Sequence, residues 1–387
     1  MKLIPIDKLR YDRELSIWDV LDVIGSIIRD RSVRVCIEVD ESYVIKRGLE
    51  IYWALRRIGA SKAPVGFGEC YATLDDIGFY DNITGDTHRV YSSSLDFALR
   101  GLPTPLVKLR SYSDGKVNVW AKLEWYNPFS LSIKDRPAVN IVSSIASSRR
   151  EGIIGDVSSA NFGIALTAVA LQFNIKTRVY LPRRAEEFGL VVPSLMGADV
   201  IHTDAELTVD IISRVKSEAV ELGFIHVDQF TNDLNFEAHL KTLAKEIDYQ
   251  ALKANLKLVG IAGSIGTSGH MSALNFYFKN RYGDEFKIIL AQPARGEHIP
   301  GIRRSETGMI WLAMIARGYE IFDVTLGEAI DAVKRVASKD GLLIGPSGGA
   351  TLVALEKYIS KSSIEGDIVA IIPDTGYKYL RLLKEKL

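Results

Sequence analysis

The sequence has few of the features that mark a membrane, secreted or nucleic-acid-binding protein. No uninterrupted apolar run is long enough to span a bilayer, and the segment from Met1 to Asp7 lacks the apolar core of a signal peptide. The 48 basic residues balance the 48 acidic residues, so the net charge gives no indication of a nucleic-acid or anionic membrane partner. We therefore expect a cytoplasmic protein that binds neither nucleic acid nor membrane.

Cysteines and metal-ligand patterns are equally sparse. The two cysteines, Cys36 and Cys70, form neither a disulfide framework nor a metal cluster. We interpret them as buried apolar residues, with a redox pair as the alternative. The six histidines show none of the spacings typical of metal ligands. We expect no metal site, and we interpret as structural or surface residues all of His88, His202, His226, His239, His270 and His298.

What is present is the pattern of an α/β protein. A chain of 387 residues with 47% hydrophobic and 25% charged residues suggests about two or three globular domains. From Val117 onward, short apolar runs alternate with helical patterns, which predicts mostly parallel sheets with helices on both faces. The predicted strands are residues 117–123, 153–154, 178–181, 199–202, 224–227, 256–261, 287–291 and 368–372. The predicted helices between them are residues 161–173, 206–221, 236–254, 327–339 and 349–360.

The first 100 residues form a separate region without a catalytic pattern. Apolar residues recur at helical spacing over residues 14–29 and again over 42–58, which predicts two helices. Turns follow at Gly59, Pro64 and Gly66. We expect this region to pack at a subunit interface or over the active site.

The segment 123–137, Leu-Glu-Trp-Tyr-Asn-Pro-Phe-Ser-Leu-Ser-Ile-Lys-Asp-Arg-Pro, joins a predicted buried strand to a predicted helix. Asn127 and Pro128 end the apolar run, and a helical pattern begins near Asp135. Lys134 therefore lies in the turn, where the positive end of the helix dipole favours the neutral amine. A neutral amine can form a Schiff base with an aldehyde cofactor. The alternative is a surface lysine that happens to open a helix.

Two loops that each follow a strand and open a helix have the composition of anion sites. The loop 158–163, Ser-Ser-Ala-Asn-Phe-Gly, offers backbone amides and hydroxyls to a carboxylate, or it is a plain helix cap. The loop 263–269, Gly-Ser-Ile-Gly-Thr-Ser-Gly, has the geometry of a phosphate cradle, or it is a tight turn. It lacks the P-loop lysine and the dinucleotide spacing, so we expect a single phosphate rather than a nucleotide.

Two further loops offer a hydroxyl and a pair of cations. The loop 345–349, Gly-Pro-Ser-Gly-Gly, presents the neutral hydroxyl of Ser347, or it is an ordinary turn. The loop 301–305, Gly-Ile-Arg-Arg-Ser, places Arg303 and Arg304 after Pro300. Paired guanidinium groups suit a doubly charged anion, because their donor geometry matches phosphate oxygens. The alternative is a solvated basic turn.

Taken in this order, the segments around Lys134, Asn161, Gly266 and Ser347 resemble the tryptophan synthase β-like family. These are the fold-type II pyridoxal-phosphate enzymes, which include cysteine synthases and cystathionine β-synthases. The segment 373–376, Pro-Asp-Thr-Gly, resembles that family as well, and the resemblance covers roughly residue 100 to the end. It implies two mostly parallel open-sheet domains covered by helices, pyridoxal 5′-phosphate as cofactor, and a homodimer. The implied division is an N-terminal extension (1–100), a large cofactor-binding domain (101–133 and 250–387) and a smaller mobile substrate-binding domain (134–249).

The resemblance also implies roles for individual residues. Lys134 would form the Schiff base and, once freed by the substrate amine, remove the α-proton. Asn161 would bond to the 3′-hydroxyl of the cofactor, and Ser347 would face the pyridine nitrogen. The cofactor phosphate would be held by Gly263, Ser264, Ile265, Gly266 and Thr267. The substrate carboxylate would be received by Ser158, Ser159 and Gln229.

Within this family, the chain resembles the archaeal O-phosphoserine sulfhydrylases in further features, namely the segment 123–132, the loop 301–304 and the long N-terminal region. O-acetylserine sulfhydrylases usually read Thr-Ser-Gly-Asn-Thr-Gly where this chain has Ser-Ser-Ala-Asn-Phe-Gly, and Gly-Ile-Gly where it has Gly-Ile-Arg. The second difference favours a phosphate leaving group bound by Arg303. The implied reaction is β-replacement, in which phosphate leaves O-phosphoserine and sulfide adds to give cysteine. O-acetylserine is a second substrate to be tested.

Two alternatives remain open at this point. The first is another enzyme, a cystathionine β-synthase or a serine/threonine dehydratase. Supplying serine, O-acetylserine or O-phosphoserine with sulfide or homocysteine would separate these activities. The second is a nucleotide-binding regulatory protein that uses the same glycine loops, which a visible absorption band lost on hydroxylamine treatment would exclude.

Overall fold

The computed structural model describes residues 1–84, 88–148 and 152–386 of the chain. In chain order the strands are β1 (Lys2–Pro5), β2 (Ser32–Val35), β3 (Glu38–Val39), β4 (Ile45–Arg47), β5 (Lys62–Val65), β6 (Glu69–Thr73), β7 (Leu106–Lys108), β8 (Val117–Leu123), β9 (Ile153–Val157), β10 (Lys176–Leu181), β11 (Asp199–His202), β12 (Ile225–His226), β13 (Leu258–Ser264), β14 (Lys287–Pro293), β15 (Tyr319–Val324) and β16 (Gly366–Ile372). The α-helices are α1 (Ile17–Asp30), α2 (Leu49–Arg57), α3 (Ser94–Arg100), α4 (Asp135–Ser147), α5 (Asn161–Leu171), α6 (Glu187–Leu195), α7 (Ile212–Leu222), α8 (Asp233–His239), α9 (Lys245–Lys253), α10 (Gly269–Tyr282), α11 (Ile310–Ile315), α12 (Leu326–Asp340), α13 (Pro346–Ile359) and α14 (Leu380–Lys384).

Two sheets organise the chain beyond residue 100. The large sheet has the strand order β15-β14-β13-β16-β8-β7, in which only the edge pair β7–β8 is antiparallel. The small sheet has the order β11-β10-β9-β12, and its described pairs are all parallel. The expected fold class of two mostly parallel, helix-covered sheets is confirmed, and the predicted strand at residues 117–123 is β8 itself.

Alternate side chains of the large sheet serve two cores, as a sheet covered on both faces requires. In β16, Ile368, Ala370 and Ile372 pack with α12 and α13. Val369 and Ile371 face the opposite core, which α1, α2, α8, α9 and α10 cover. The small sheet is covered by α4 and α5 on one face and by α7 on the other.

The N-terminal region packs on one face of the large sheet. α1 begins with a capping box between Ser16 and Asp19, which fixes its start. Its apolar side chains belong to the same core as α8 and α10. Trp18 Nε1 donates to the Asp233 carboxylate at 2.7 Å, so this region supports the helix that follows the Gln229 loop. A role at a subunit interface stays a prediction.

Several predicted elements differ from the structure in extent. The helix predicted over residues 42–58 begins only at Leu49, because Gly48 is left-handed (φ 82°) and β4 precedes it. The helix predicted over 206–221 begins as a 3₁₀ turn (Thr208–Ile211). A π-helical turn (Leu240–Ala244) interrupts the helix predicted over 236–254. The apolar periodicity does not predict α6. This helix contains Pro193, which is unusual inside a helix, and it has too few polar residues to show a helical pattern.

The domain limits remain a prediction. Phe236, Leu243 and Ile247 pack in the core on the large sheet rather than with the small sheet. This packing argues for a limit nearer residue 232 than residue 249. Over the ranges described above, no helix has the length and apolarity needed to cross a bilayer.

The two cysteines are free thiols in the N-terminal region. Cys70 lies in β6, Cys36 directly follows β2, and the two thiols are within hydrogen-bonding distance. Burial, together with the contact with Cys36, raises the pKa of the Cys70 thiol to about 12. Cys36 is 3% exposed, as expected of a buried apolar residue, whereas the redox pair stays a prediction.

Candidate active site

Lys134 is the N-cap of α4 and lies in the turn that follows β8, as the sequence predicts. The turn is held by the carboxylate of Asp135, which accepts hydrogen bonds from the backbone of Phe129 and Ser130 at 2.7 and 2.8 Å. The backbone N–H of Ile133 donates to the Pro373 carbonyl at 2.9 Å, which ties the turn to the end of β16. Lys134 thereby lines a cleft whose walls come from both sheets.

The surroundings of Lys134 increase the neutral fraction of its amine. Burial, followed by the nearby positive charge of Arg303, lowers the pKa of Lys134 to about 8. A pKa of about 8 leaves about one tenth of the amine neutral at pH 7, far more than the ordinary lysine pKa would allow. The sequence predicts the direction of this shift, but it attributes it to the helix dipole, whereas burial is the main cause.

The glycine-rich loop between β13 and α10 contributes three of its predicted residues to the cleft, namely Ser264, Gly266 and Thr267. The predicted contacts of Gly263 and Ile265 with the cofactor are not supported by their positions. The Ile265 amide donates to the Ala291 carbonyl at 3.0 Å, and its side chain is fully buried in the core. A Cβ on Gly263 would lie 2.2 Å from Met271 Sδ, so this glycine lets α10 pack closely.

The loop before α5 places its hydroxyls and its amide in the same cleft. Ser158, Ser159 and Asn161 all line it. Ser158 Oγ accepts hydrogen bonds from the backbone N–H of Ala160 and Gly163 at 3.1 and 2.9 Å, so it acts as a cap for α5. Its hydroxyl proton stays available to a ligand carboxylate. The ligand and helix-cap interpretations of this loop are therefore compatible.

Gln229 and Ser347 complete the set of predicted residues in the cleft. Gln229 is 4% exposed, and its Nε2 donates to the Val157 carbonyl at 2.7 Å. Its backbone N–H donates to the Asp156 carboxylate at 2.8 Å, which fixes the loop after β12. Ser347 lies in the first turn of α13, directly after Pro346, and is 4% exposed.

The two arginines of the loop 301–305 have different surroundings. Arg303 lines the cleft, lies over the ring of Phe230 at 4.8 Å, and donates to the Gly266 carbonyl at 2.7 Å. Burial lowers the pKa of Arg303 to about 10. Arg304 instead pairs with Glu306 and Asp323 at 2.8 and 3.0 Å. The structure therefore brings Arg303, and not Arg304, to the site.

His270 is a cleft residue that the sequence analysis assigned to structure or surface. Its ring hydrogen-bonds the backbone of Ser264 and lies edge-to-face with His239 at 5.7 Å. Its Nε2 has no hydrogen-bond partner among the residues that the structure describes. Burial and, to a smaller extent, the charge of Lys134 together lower the pKa of His270 to about 3. The imidazole is therefore neutral. Its position as the second residue of α10, directly after the glycine-rich loop, is the signal that could have identified it.

Residues at the start of α10 fit a phosphate group. Among the residues that the structure describes, the buried hydroxyl oxygen of the cleft residue Ser264 has no hydrogen-bond partner, a condition that a ligand oxygen would relieve. A Cβ on Gly266 would lie 2.9 Å from the Gly301 carbonyl, so the loop backbone comes close to the cleft wall. The N-terminus of a 14-residue helix adds its positive dipole end. In the described parts of the chain no cluster suits a metal ion.

Comparison with known proteins relates this geometry to a family. The family model described as "Pyridoxal-phosphate dependent enzyme" matches residues 98–374. Cysteine synthase B of Escherichia coli (strain K12) is 31% identical over 288 residues, covering 72% of this chain and 91% of that protein. The O-acetylserine dependent cystathionine beta-synthase of Bacillus subtilis (strain 168) is 29% identical over 295 residues, covering 72% and 93%. A crystal structure of cysteine synthase from Entamoeba histolytica has a TM-score of 0.66 and 26% identity, covering 77% of this chain and 91% of that chain.

Proposed function

Because this chain belongs to the pyridoxal-phosphate dependent enzyme family, we propose that it catalyses β-replacement on O-phospho-L-serine, with sulfide as nucleophile. The products would be L-cysteine and phosphate. Pyridoxal 5′-phosphate is its cofactor. The similarity to cysteine synthases supports the reaction type. The choice of O-phosphoserine rests on Arg303.

Arg303 is a cation in the cleft that pairs with no carboxylate in the described part of the chain. Among the residues that the structure describes, its side chain donates to the carbonyls of Gly266 and Gly308 at 2.7 and 2.9 Å. A partly buried guanidinium without a counter-charge favours binding of an anion. A phosphate monoester carries close to two negative charges at neutral pH, whereas an acetyl ester carries none. Arg303 therefore supports a phosphorylated substrate.

The other cleft residues have roles that follow from their chemistry. When bound, pyridoxal phosphate supplies an aldehyde for the lysine amine and an electron sink for the substrate α-carbon. Lys134 would accept the α-proton, since its lowered pKa keeps part of the amine neutral. Ser158 and Gln229 would orient the substrate carboxylate. The neutral hydroxyl of Ser347 cannot protonate a ring nitrogen as a carboxylic acid would, which suits prompt elimination.

The experiment compares Arg303→Ala with Arg304→Ala, using kcat/KM for O-phosphoserine and for O-acetylserine. A charge-assisted contact contributes about 1.5–3 kcal/mol, so Arg303→Ala should lower O-phosphoserine use by about one to two decades. Use of O-acetylserine should be spared. Arg304→Ala is the matched control and should stay near the wild type on both substrates, because its guanidinium is already paired with Glu306 and Asp323.

Two results would contradict the substrate assignment. Equal losses on both substrates in Arg303→Ala would make this arginine structural. A loss confined to Arg304→Ala would show that the other arginine binds the phosphate. The cytoplasmic location and the homodimer stay predictions.

A second candidate function is β-replacement on O-acetylserine, or cystathionine synthesis. The observation that favours it is similarity to an O-acetylserine dependent cystathionine beta-synthase. Supplying homocysteine in place of sulfide would separate cystathionine synthesis from cysteine synthesis, because only a cystathionine synthase would form the thioether product from homocysteine.

A further inference from the structure

The segment after β16 places opposite charges at the two ends of the Asn161 side-chain amide. Lys378 Nζ donates to Asn161 Oδ1 at 2.7 Å. Asn161 Nδ2 in turn donates to Asp374 Oδ2 at 2.7 Å. An ammonium group only donates and a carboxylate only accepts. The charges therefore determine which end of the amide faces each partner. A flipped amide would place its NH₂ group against the ammonium of Lys378 and its oxygen against the carboxylate of Asp374.

Further hydrogen bonds hold both charged partners in place. Lys378 also donates to the carbonyls of Ser130 and Leu131, which uses all three N–H groups of the ammonium. Asp374 Oδ2 also accepts from Tyr379 Oη at 2.7 Å. The Lys378 side chain is 10% exposed and that of Asp374 is 1% exposed. Neither partner can turn to solvent, so the orientation of the amide is locked.

We propose that Lys378 and Asp374 are positioning residues. They force Asn161 to offer an N–H, rather than its carbonyl, to the 3′-oxygen of the cofactor. Asn161 lines the cleft together with Lys134. Its carbonyl is occupied by the ammonium of Lys378, and one of its two N–H groups is occupied by Asp374. The Tyr379 hydroxyl, which donates to Asp374, also lies beside the Asn161 amide at the cleft. The remaining N–H of Asn161 can only donate a hydrogen bond. It therefore favours the deprotonated form of the cofactor 3′-oxygen, which can only accept one. The proposal rests on the proposed function for the identity of the cofactor and for the contact between Asn161 and its 3′-oxygen.

A double-mutant cycle tests whether Lys378 acts through Asn161. The variants are Asn161→Ala, Lys378→Met and the double variant. Each is stripped of cofactor and titrated with pyridoxal phosphate, and the dissociation constant and the visible absorbance maximum are recorded. One hydrogen bond corresponds to roughly a tenfold change in affinity, so each single variant should bind about tenfold more weakly. The double variant should bind no more weakly than Asn161→Ala alone.

Two outcomes would overturn the proposal. Wild-type affinity in Lys378→Met is the first. The second is a double variant whose loss is the product of the two single losses, because a merely structural lysine would act independently of Asn161. The readout is cofactor binding, so an incorrect substrate assignment for Arg303 would leave the result unchanged. A wild type that binds no cofactor would overturn both proposals.

Asp374→Asn provides a second measurement in case Lys378→Met does not fold. This variant keeps the size of the side chain at residue 374 but replaces the carboxylate by an amide. Either the oxygen or the NH₂ group of the new amide can then face Asn161. We expect weaker cofactor binding and a shifted absorbance maximum, with a melting temperature near that of the wild type. An unchanged dissociation constant and an unchanged maximum would contradict a locked amide.

Discussion

Two pairs of inward-facing cations, each a lysine and an arginine, have opposite surroundings in this molecule. The closed pair, Lys122 and Arg136, lies behind the start of α4, and its side chains are 0% and 2% exposed. The open pair, Lys134 and Arg303, lines the cleft. Lys134 and Arg136 are only two residues apart, so local sequence alone does not separate the two environments.

Two glutamates of the chain neutralise the closed pair. Lys122 contacts Glu246 at 2.8 Å, and Arg136 contacts Glu124 at 2.6 Å and Glu246 at 2.9 Å. Burial alone would raise the pKa of Glu246, but Arg136 and Lys122 outweigh it and hold that pKa well below its ordinary value. The cluster is charge-balanced and hydrogen-bonded, as a buried ion network must be.

The open pair has no such compensation. Within the described part of the chain, the charge that acts on Lys134 is a second cation, Arg303, and burial lowers the pKa of both. Two uncompensated cations in one cleft are unfavourable until an anion binds. The difference teaches that, among the described residues, a cation that faces the cleft without a carboxylate partner favours a ligand anion. Burial alone is not the signal, because the buried Lys245 is satisfied by the Ile58 carbonyl and by the Asn82 amide oxygen.

Removing a lysine from each pair should give the sharpest contrast. Lys134→Ala should abolish the visible absorbance of the bound cofactor and all β-replacement turnover. Among the described residues that line the cleft, no other lysine could form the Schiff base. The matched control, Lys122→Met, should lose stability yet keep the absorbance band. Normal turnover in Lys134→Ala would refute its assignment as the reactive amine.

Breaking the closed cluster should affect stability first. Glu246→Ala leaves Lys122 and Arg136 undercompensated in the interior, which should cost about 3–5 kcal/mol in the free energy of unfolding. Urea denaturation measures this loss. Glu306→Ala, which removes an exposed partner of Arg304, is the control and should cost at most about 1 kcal/mol. Similar losses in the two variants would mean that the buried ion pairs contribute no more to stability than an exposed one.

A negative charge placed in the open site should lower cofactor content. Gly266→Asp brings a carboxylate to the phosphate loop, where a Cβ already meets the Gly301 carbonyl at 2.9 Å. We expect at least about a tenfold weaker affinity for pyridoxal phosphate with a native circular dichroism spectrum. Gly327→Asp, at the start of α12 where a Cβ would meet only Thr325 Oγ1 at 4.0 Å among the described residues, should keep full occupancy. Full occupancy in Gly266→Asp would contradict the phosphate assignment.

The smallest expected effect is a shift in pH dependence. The pKa of Lys134 is lowered from 10.5 to about 8, so the neutral amine dominates above about pH 8 and the protonated form below it. The rate at which stripped protein attaches pyridoxal phosphate should therefore fall about tenfold per pH unit below that midpoint. Arg303→Met removes one cause of the lowering and should move the midpoint to higher pH.

Arg304→Met is the control for the pH profile, and its midpoint should match that of the wild type. A midpoint near 10 in the wild type would show that burial does not perturb Lys134. A midpoint that Arg303→Met leaves unchanged would show that the two cations do not interact.

Local pattern was sufficient for much of the fold and for the reactive turn. The apolar run of β8 and the break at Asn127 and Pro128 predict a strand followed by a helix, and Lys134 lies between them. These features depend on neighbours within a few residues, so the sequence carries them directly. The start of α2 was misplaced, because the left-handed conformation of Gly48 outweighs an apolar periodicity that continues on both sides.

By itself, the sequence determined the order of strands and helices and the loops that could hold anions, because hydrogen-bonding period and turn chemistry are local. Only the tertiary structure decided which charges are compensated. It paired Arg304 with Asp323 and left Arg303 in the cleft, and it joined Asn161 to Lys378 across 217 positions of sequence. The physical reason is that charge balance and burial depend on which distant segments meet, and residue spacing along the chain does not record those meetings.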